Sequence, residues 1–151
     1  MTCTLRPGGA RIFDFGQNMA GWTRLQATGS AGAIITIRHG EMLESDGSLH
    51  TANLRSARQT ERWVLKGTGD EIFEPHFTCH GFRYAEMTAE PAWPEQLALT
   101  GVVVHSDLAA TGSFSCSDAR LNQLQRNIVW GQRGNFVDIP TDCPQRDERL
   151  G

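Results

Sequence analysis

From the start of the chain to about Leu108, apolar residues fall in short runs or alternate with polar ones, and glycine-rich segments interrupt them. The runs "ARIFDF", "GWTRLQAT", "AIITIRHGEML", "TERWVLKG", "EIFEPHF", "FRYAEMTA" and "ALTGVVVHSDL" carry β-branched and aromatic residues at a period of two, the signature of strands whose side chains point alternately to opposite faces. Between them "GSAG", "SDGS" and "GTGDE" have turn chemistry, and Asp46-Gly47 is the best candidate for a tight turn. Short strands at this spacing predict a mainly β fold, an antiparallel β-sandwich of jelly-roll type.

The period changes after "AATGSFSCSD". In "SDARLNQLQRNIVWGQRGNF" the apolar residues Leu121, Leu124 and Ile128 recur at helical spacing, and Ser117 or Asp118 can cap the helix N-terminus. Pro140 and Pro144 then force an extended or turning backbone through "VDIPTDCPQRDER". The apolar stripe of this helix needs a partner. Either it docks on the sandwich, or it belongs to a helical domain whose other members are not in these residues.

Composition narrows the function classes. A chain of 151 residues accommodates one domain, or one domain and a piece of another. Lys+Arg 14 against Asp+Glu 17, with no block of like charge, argues against a nucleic-acid or membrane-surface partner, since both call for a basic stripe. Sixteen glycines, four tryptophans and a single lysine, Lys66, fit a turn-rich β protein better than a helical bundle. Cys3, Cys79, Cys116 and Cys143 are far apart, with no CxxC pair, and are expected to be free thiols. The N-terminal "MTCTLRPGGARIF" contains no apolar signal core, and no apolar run reaches the roughly 20 residues of a membrane span, so a cytoplasmic location is expected.

The densest chemistry lies in "VDIPTDCPQRDERLG", where Asp142, Arg146, Asp147, Glu148 and Arg149 crowd around two prolines and Cys143. Carboxylates accept paired hydrogen bonds from vicinal hydroxyls, and a guanidinium supplies planar donors, so this set suits a pocket that binds a polyol and protonates it. The same residues also suit a solvated charge run making surface salt bridges of little energetic weight. Residue types alone leave both readings open.

The order of the residues goes further. "IPTDCPQRDERLG" resembles the start of the catalytic domain of bacterial α-L-rhamnosidases of glycoside hydrolase family 78. "FDFGQNMAGW", "GEML…DG", "FEPHFTCHGFRYAEM" and "GSFSCSDARLNQLQRN" resemble the same family in the same order, from about Phe13 to Gly151. The resemblance implies a β-sandwich domain over 1–110, followed over 111–151 by the first helix and loop of an (α/α)6 barrel. It implies hydrolysis of terminal α-L-rhamnose with inversion, acting on a rhamnose-containing glycoside or oligosaccharide. Glu148 stands at the family's general acid, while Asp142, Arg146 and Asp147 stand at positions that contact the sugar hydroxyls. The acid/base chemistry requires no cofactor. The family's second catalytic glutamate lies far downstream and nothing here matches it, so the chain reads as an incomplete member, inactive alone, with the rest of the barrel expected downstream.

Other residues have plainer readings. His76, Cys79 and His80 in "PHFTCH" have no second cluster to complete a tetrahedral metal site, and His76 and His80 are expected to lie near a strand end and make ordinary hydrogen bonds. Trp63 is expected in the core and Trp93, between prolines, at the surface. "FDFGQN" reads as a strand leaving into a turn, with Asp14, Gln17 and Asn18 there for backbone reasons. The resemblance implies that "HGFRY" belongs to the sandwich core, with Gly81 allowing a tight backbone and Phe82 and Tyr84 alternating on one face. A stand-alone carbohydrate-binding sandwich is the rival from another class, and a six-hairpin enzyme for a different sugar is the rival within the class.

Overall fold

The structure, a computed structural model, describes residues 1–146. Seven strands form the antiparallel sheet system: β1 (Thr2–Leu5), β2 (Arg11–Thr28), β3 (Ile34–Gly40), β4 (Thr60–Val64), β5 (Asp70–Phe73), β6 (His80–Glu90) and β7 (Gln96–Val103). The first part of β2 lies between β1 and β6, and β3 and β4 continue the layer in the order β1-β2-β6-β3-β4. The second part leaves β6 at Gly21 and pairs with β7 through Thr28, while Leu25–Thr28 also take β5. One strand thus serves both layers of the sandwich. The core fills the space between them, with Phe13, Ile35, Ile37, Ala85 and Met87 from the first layer, Leu25, Ala27 and Leu99 from the second, and Leu65 beside them. Each fully buried Leu or Ile side chain contributes about 1.5–3 kcal/mol relative to exposure.

The change of partner at Gly21 depends on the missing side chain. A Cβ there would lie 1.8 Å from the carbonyl oxygen of Val102, so only glycine lets β2 and β7 approach this closely.

Two of the predicted strands, "ARIFDF" and "GWTRLQAT", are parts of β2. The expected turn at "FDFGQN" is instead a bulge within this strand: the pairing with β6 shifts between Asp14 and Met19. Asp14 holds the bulge. Its carboxylate accepts from the Gly16 amide at 2.7 Å and from Arg83 Nε and Nη2, both at 2.8 Å. The Arg83 guanidinium keeps this carboxyl below its ordinary pKa. The remaining predicted strands are present with shifted ends: β3 and β4 stop earlier than predicted, β5 and β7 start earlier and stop earlier, and β6 runs further at both ends. β1 is additional, because "TCTL" is too short and too polar to stand out as a strand. Asp46-Gly47 forms the expected tight turn, with Gly47 N donating to Glu44 O at 2.8 Å and Leu43 bridged to Leu49.

Trp63 is half-buried against the core and packs on Phe73 at 5.3 Å between ring centroids. Trp93 departs from expectation. It also packs against the core, and the Arg11 guanidinium sits 3.9 Å above its ring, a cation–π contact that draws the proline-flanked loop inward.

The helix α1 (Ala119–Asn135) starts at Asp118, whose side chain accepts from Arg120 N at 2.8 Å. Leu121, Leu124 and Ile128 stay 49%, 53% and 56% exposed, so the apolar stripe does not dock on the sandwich. The helix meets β2 at its C-terminal end instead, where Gly134 is buried near Ala20. A short hairpin, β8 (Phe136–Val137) and β9 (Ile139–Pro140), follows. No helix among the described residues is long and apolar enough to cross a membrane.

The core includes a buried histidine. His39 on β3 is fully buried; its Nδ1 donates to Gln59 O at 3.2 Å, which leaves Nε2 to accept from the Thr23 hydroxyl at 3.1 Å. Burial, assisted by the neighbouring His80, pushes the ring down to about 3. The unfolded chain takes up this proton below about pH 6.5 while the folded chain does not, so acid favours unfolding. Stability is expected to fall by up to about 1.4 kcal/mol per pH unit between pH 6 and 4 from this group. The pH dependence of chemical denaturation measures it: His39→Gln, which keeps a donor and an acceptor but does not titrate, should show a clearly shallower slope.

Candidate active site

The segment that follows α1 is fastened to the sandwich along its length. Asp138, at a positive φ of 68°, donates its amide to Ser106 Oγ at 2.8 Å, and Ser106 N donates to Phe136 O at 2.7 Å. Thr141 N donates to Asn135 O at 2.7 Å and turns the chain back toward the helix end. Pro144 and Gln145 then cross directly over β6 at Gly81. Arg146 is half-buried and donates from Nη1 to the carbonyl of Asn53 at 3.1 Å, in the 3-10 turn Ala52–Leu54. Two proline-restricted stretches and backbone-directed hydrogen bonds make this a stiff strap rather than a loose extension.

Of the sequence-predicted site residues, Asp142 lies on the strap and is exposed, and Arg146 sits at its far end against the sandwich. Asp147 and Glu148 lie outside the described residues. The strap separates two clefts. One, of about 520 Å3, is lined by Gln59, Cys79, His80, Thr141, Pro144 and Arg146. The other, of about 550 Å3, lies against the β2 bulge and α1, with Gln17, Asn18, Glu41, Asn127, Trp130 and Pro144 in its wall. Asn18 Nδ2 donates to Glu41 Oε1 at 2.8 Å, which ties the bulge to the end of β3. Cys79 and Cys143, both free, share the first cleft, and burial pushes the Cys79 thiol up.

Under the strap is a buried polar layer. Gln59, in the left-handed region at φ 42°, turns its side-chain amide onto Gly81: Gly81 N donates to Oε1 at 3.0 Å, and Nε2 donates to Gly81 O at 3.3 Å. His80 Nε2 donates to Glu61 Oε1 at 2.9 Å, with both side chains buried. The His80 ring stacks on His39 at 4.3 Å with 21° between planes. His39, Glu61 and His80 bring potential metal-ligand atoms within 4.8 Å of one another. Nearly parallel rings do not aim their lone pairs at a common point, and His39 Nε2, His80 Nε2 and Glu61 Oε1 already share hydrogen bonds. The cluster is a hydrogen-bonded brace rather than a tetrahedral cage. His80 thus behaves as the sequence predicts, at a strand end with an ordinary partner.

Sequence reasoning missed Gln59, Glu61 and Asn53, which act through main-chain or buried contacts made by the tertiary fold. It also passed over Phe77. This residue is fully exposed on the rim of the first cleft with a φ of 62°, an uncommon conformation for a bulky side chain.

Two family models match the chain, the bacterial α-L-rhamnosidase concanavalin-like domain over residues 4–105 and the bacterial α-L-rhamnosidase six-hairpin glycosidase domain over residues 109–151. An α-L-rhamnosidase of Streptomyces avermitilis is 50% identical over 143 residues, 95% of this chain and 14% of that protein. The crystal structure of the native α-L-rhamnosidase from Aspergillus terreus superposes with a TM-score of 0.91 at 44% identity, covering 100% of this chain and 18% of that one. The Streptomyces avermitilis α-L-rhamnosidase complexed with L-rhamnose gives 0.91 at 47% identity, covering 99% of this chain and 14% of that one. The chain spans about one seventh of the length of that curated relative. By these matches the chain belongs to the bacterial α-L-rhamnosidase family.

Proposed function

We propose that the native protein carrying this sequence hydrolyses terminal α-L-rhamnosidic bonds, and that Glu148 is its general acid. The observation that carries the reading is the strap: a proline-bounded segment, carrying the exposed Asp142, that brings Arg146, the first residue of "RDER", to the wall of a cleft. The likeness to relatives that act as α-L-rhamnosidases, one of them complexed with L-rhamnose, supports the substrate class. The family-model spans support a division near residue 110 into a sandwich and the start of a six-hairpin domain. The exposed stripe of Leu121, Leu124 and Ile128 suits a packing face for further helices of that domain.

In the proposed reaction Glu148 gives its proton to the glycosidic oxygen as the bond from the anomeric carbon to that oxygen breaks. A water on the opposite face forms the new bond to the anomeric carbon and loses a proton to a second carboxylate, which the resemblance places outside these 151 residues. Inversion needs about 6.5–9.5 Å between the two carboxyl groups, enough to seat that water. Asp142, Arg146 and Asp147 hold the sugar hydroxyls through carboxylate acceptors and guanidinium donors. No cofactor enters the scheme. The binding-module reading differs in one respect: a module saturates with rhamnose and releases it unchanged.

Glu148→Gln in the native protein is expected to lower kcat on an alkyl α-L-rhamnoside by about 10²–10⁴-fold. Proton NMR of the first turnovers should show β-L-rhamnose ahead of mutarotation. Saturable rhamnose binding without turnover in the unsubstituted protein would replace the enzyme with the binding module. The 151-residue chain by itself is expected to give no turnover in the same assay, and activity in it that Glu148→Gln abolishes would show that these residues suffice.

A further inference from the structure

The point where the strap crosses the sandwich has no space to spare. A Cβ built on Gly81 would fall 2.4 Å from the carbonyl carbon of Pro144, 2.5 Å from Gln145 N and 2.6 Å from Pro144 O. All three are main-chain atoms, so no side-chain rotation relieves the contact. Real Cβ atoms essentially never approach within 3.0 Å of such neighbours. The Pro144–Gln145 peptide therefore rests on the bare Cα of Gly81.

The seat is itself held rigidly. The Gln59 amide grips both the N–H and the carbonyl of Gly81 from the side, while its own main-chain oxygen accepts from His39 N at 2.9 Å and from His39 Nδ1 at 3.2 Å. His39 in turn is locked by Thr23 in the core. The preceding residue, His80, is fixed by Glu61. A continuous chain of buried hydrogen bonds thus runs from the sandwich core to the surface on which Pro144 and Gln145 lie, and Arg146, one residue further, is fastened at Asn53.

We infer that Gly81, clamped by Gln59, is a positioning element for the acid/base motif: its bare backbone sets the height and direction at which the chain leaves Gln145 toward Glu148. The inference rests on the proposed role of Glu148 as general acid. The sandwich then takes part in catalysis by positioning the acid. A carboxyl displaced by about 1 Å loses much of its reach in proton transfer, a loss that can amount to about 10²-fold.

The chemistry supplies a readout that a folding defect does not mimic. A departing alkoxide needs its proton; a departing dinitrophenolate is a weak base and leaves without one. A misplaced acid therefore slows alkyl rhamnosides far more than dinitrophenyl rhamnosides, whereas a loss of folded protein slows both alike. Gly81→Ala in the native protein is expected to lower kcat/KM on methyl α-L-rhamnoside by about 10²-fold and on dinitrophenyl α-L-rhamnoside by less than about fivefold. Gln59→Met leaves the close contact alone and releases the clamp, and it should show the same selectivity with a smaller loss. If Gly81→Ala does not fold, Gln59→Met decides the matter. Equal losses on both substrates, or no loss, overturn the positioning role. Glu148→Gln is the reference: if it lacks the leaving-group selectivity, the general-acid assignment itself fails, whatever the Gly81 and Gln59 variants do.

Discussion

Everything in this fold depends on β2 running through both layers of the sandwich. A strand of 18 residues cannot stay flat under the right-handed twist of its neighbours, and it must change partners where one layer ends. The change occurs at Gly21, where the Val102 carbonyl occupies the position a side chain would need. Because β2 is continuous, Leu25 and Ala27 in one layer are held in fixed relation to Phe13 in the other, and the core closes around them. The bulge before this corner, held by Asp14 and Arg83, forms the wall of the second cleft. The same strand thus organises the core and shapes the surface beside the strap.

The buried polar layer under the strap is a second consequence of that closure. Burying His39, Glu61, Gln59 and His80 is costly unless their polar atoms find partners, and most partners here are one another, Thr23 and the main chain of Gly81, while Glu61 Oε2 stays without one among the described residues. Such a layer adds little net stability compared with an apolar core, but it tolerates few alternative arrangements. Rigidity beneath the strap matters because the strap has no secondary structure of its own beyond the short β8–β9 hairpin. Its geometry is borrowed from the sandwich, through Ser106, Gly81 and Asn53.

The helix shows the opposite economy. Its N-terminus is capped locally by Asp118 and its C-terminal end is anchored on β2 at Gly134, while the apolar stripe stays open to solvent. Helix formation by local signals and helix packing are separate events, and here the first is complete within the described residues while the second is not. This segment is the one that matches the six-hairpin glycosidase domain.

Much of this was legible in the sequence, for physical reasons that are local. Period-two alternation marks strands because side chains alternate across a sheet, and i, i+3, i+7 spacing with Asp118 ahead of it marks α1. The collinear motifs identified the family. What the sequence could not show was which segments share a strand and which main-chain atoms touch. "ARIFDF" and "GWTRLQAT" look like two strands because the bulge at 15–18 carries turn residues, and only pairing with β6 on both sides reveals one. Trp93 looks like a surface residue until Arg11, distant in sequence, covers it. Gln59 and Glu61 carry no local mark of their roles, since a buried amide or carboxylate acquires its meaning from partners 19 or 22 residues away. Propensity and periodicity act within a few residues along the chain, and they determined the elements; contacts between distant main-chain atoms, such as Gly81 beneath Pro144, exist only after the layers close, and the tertiary structure alone decided those.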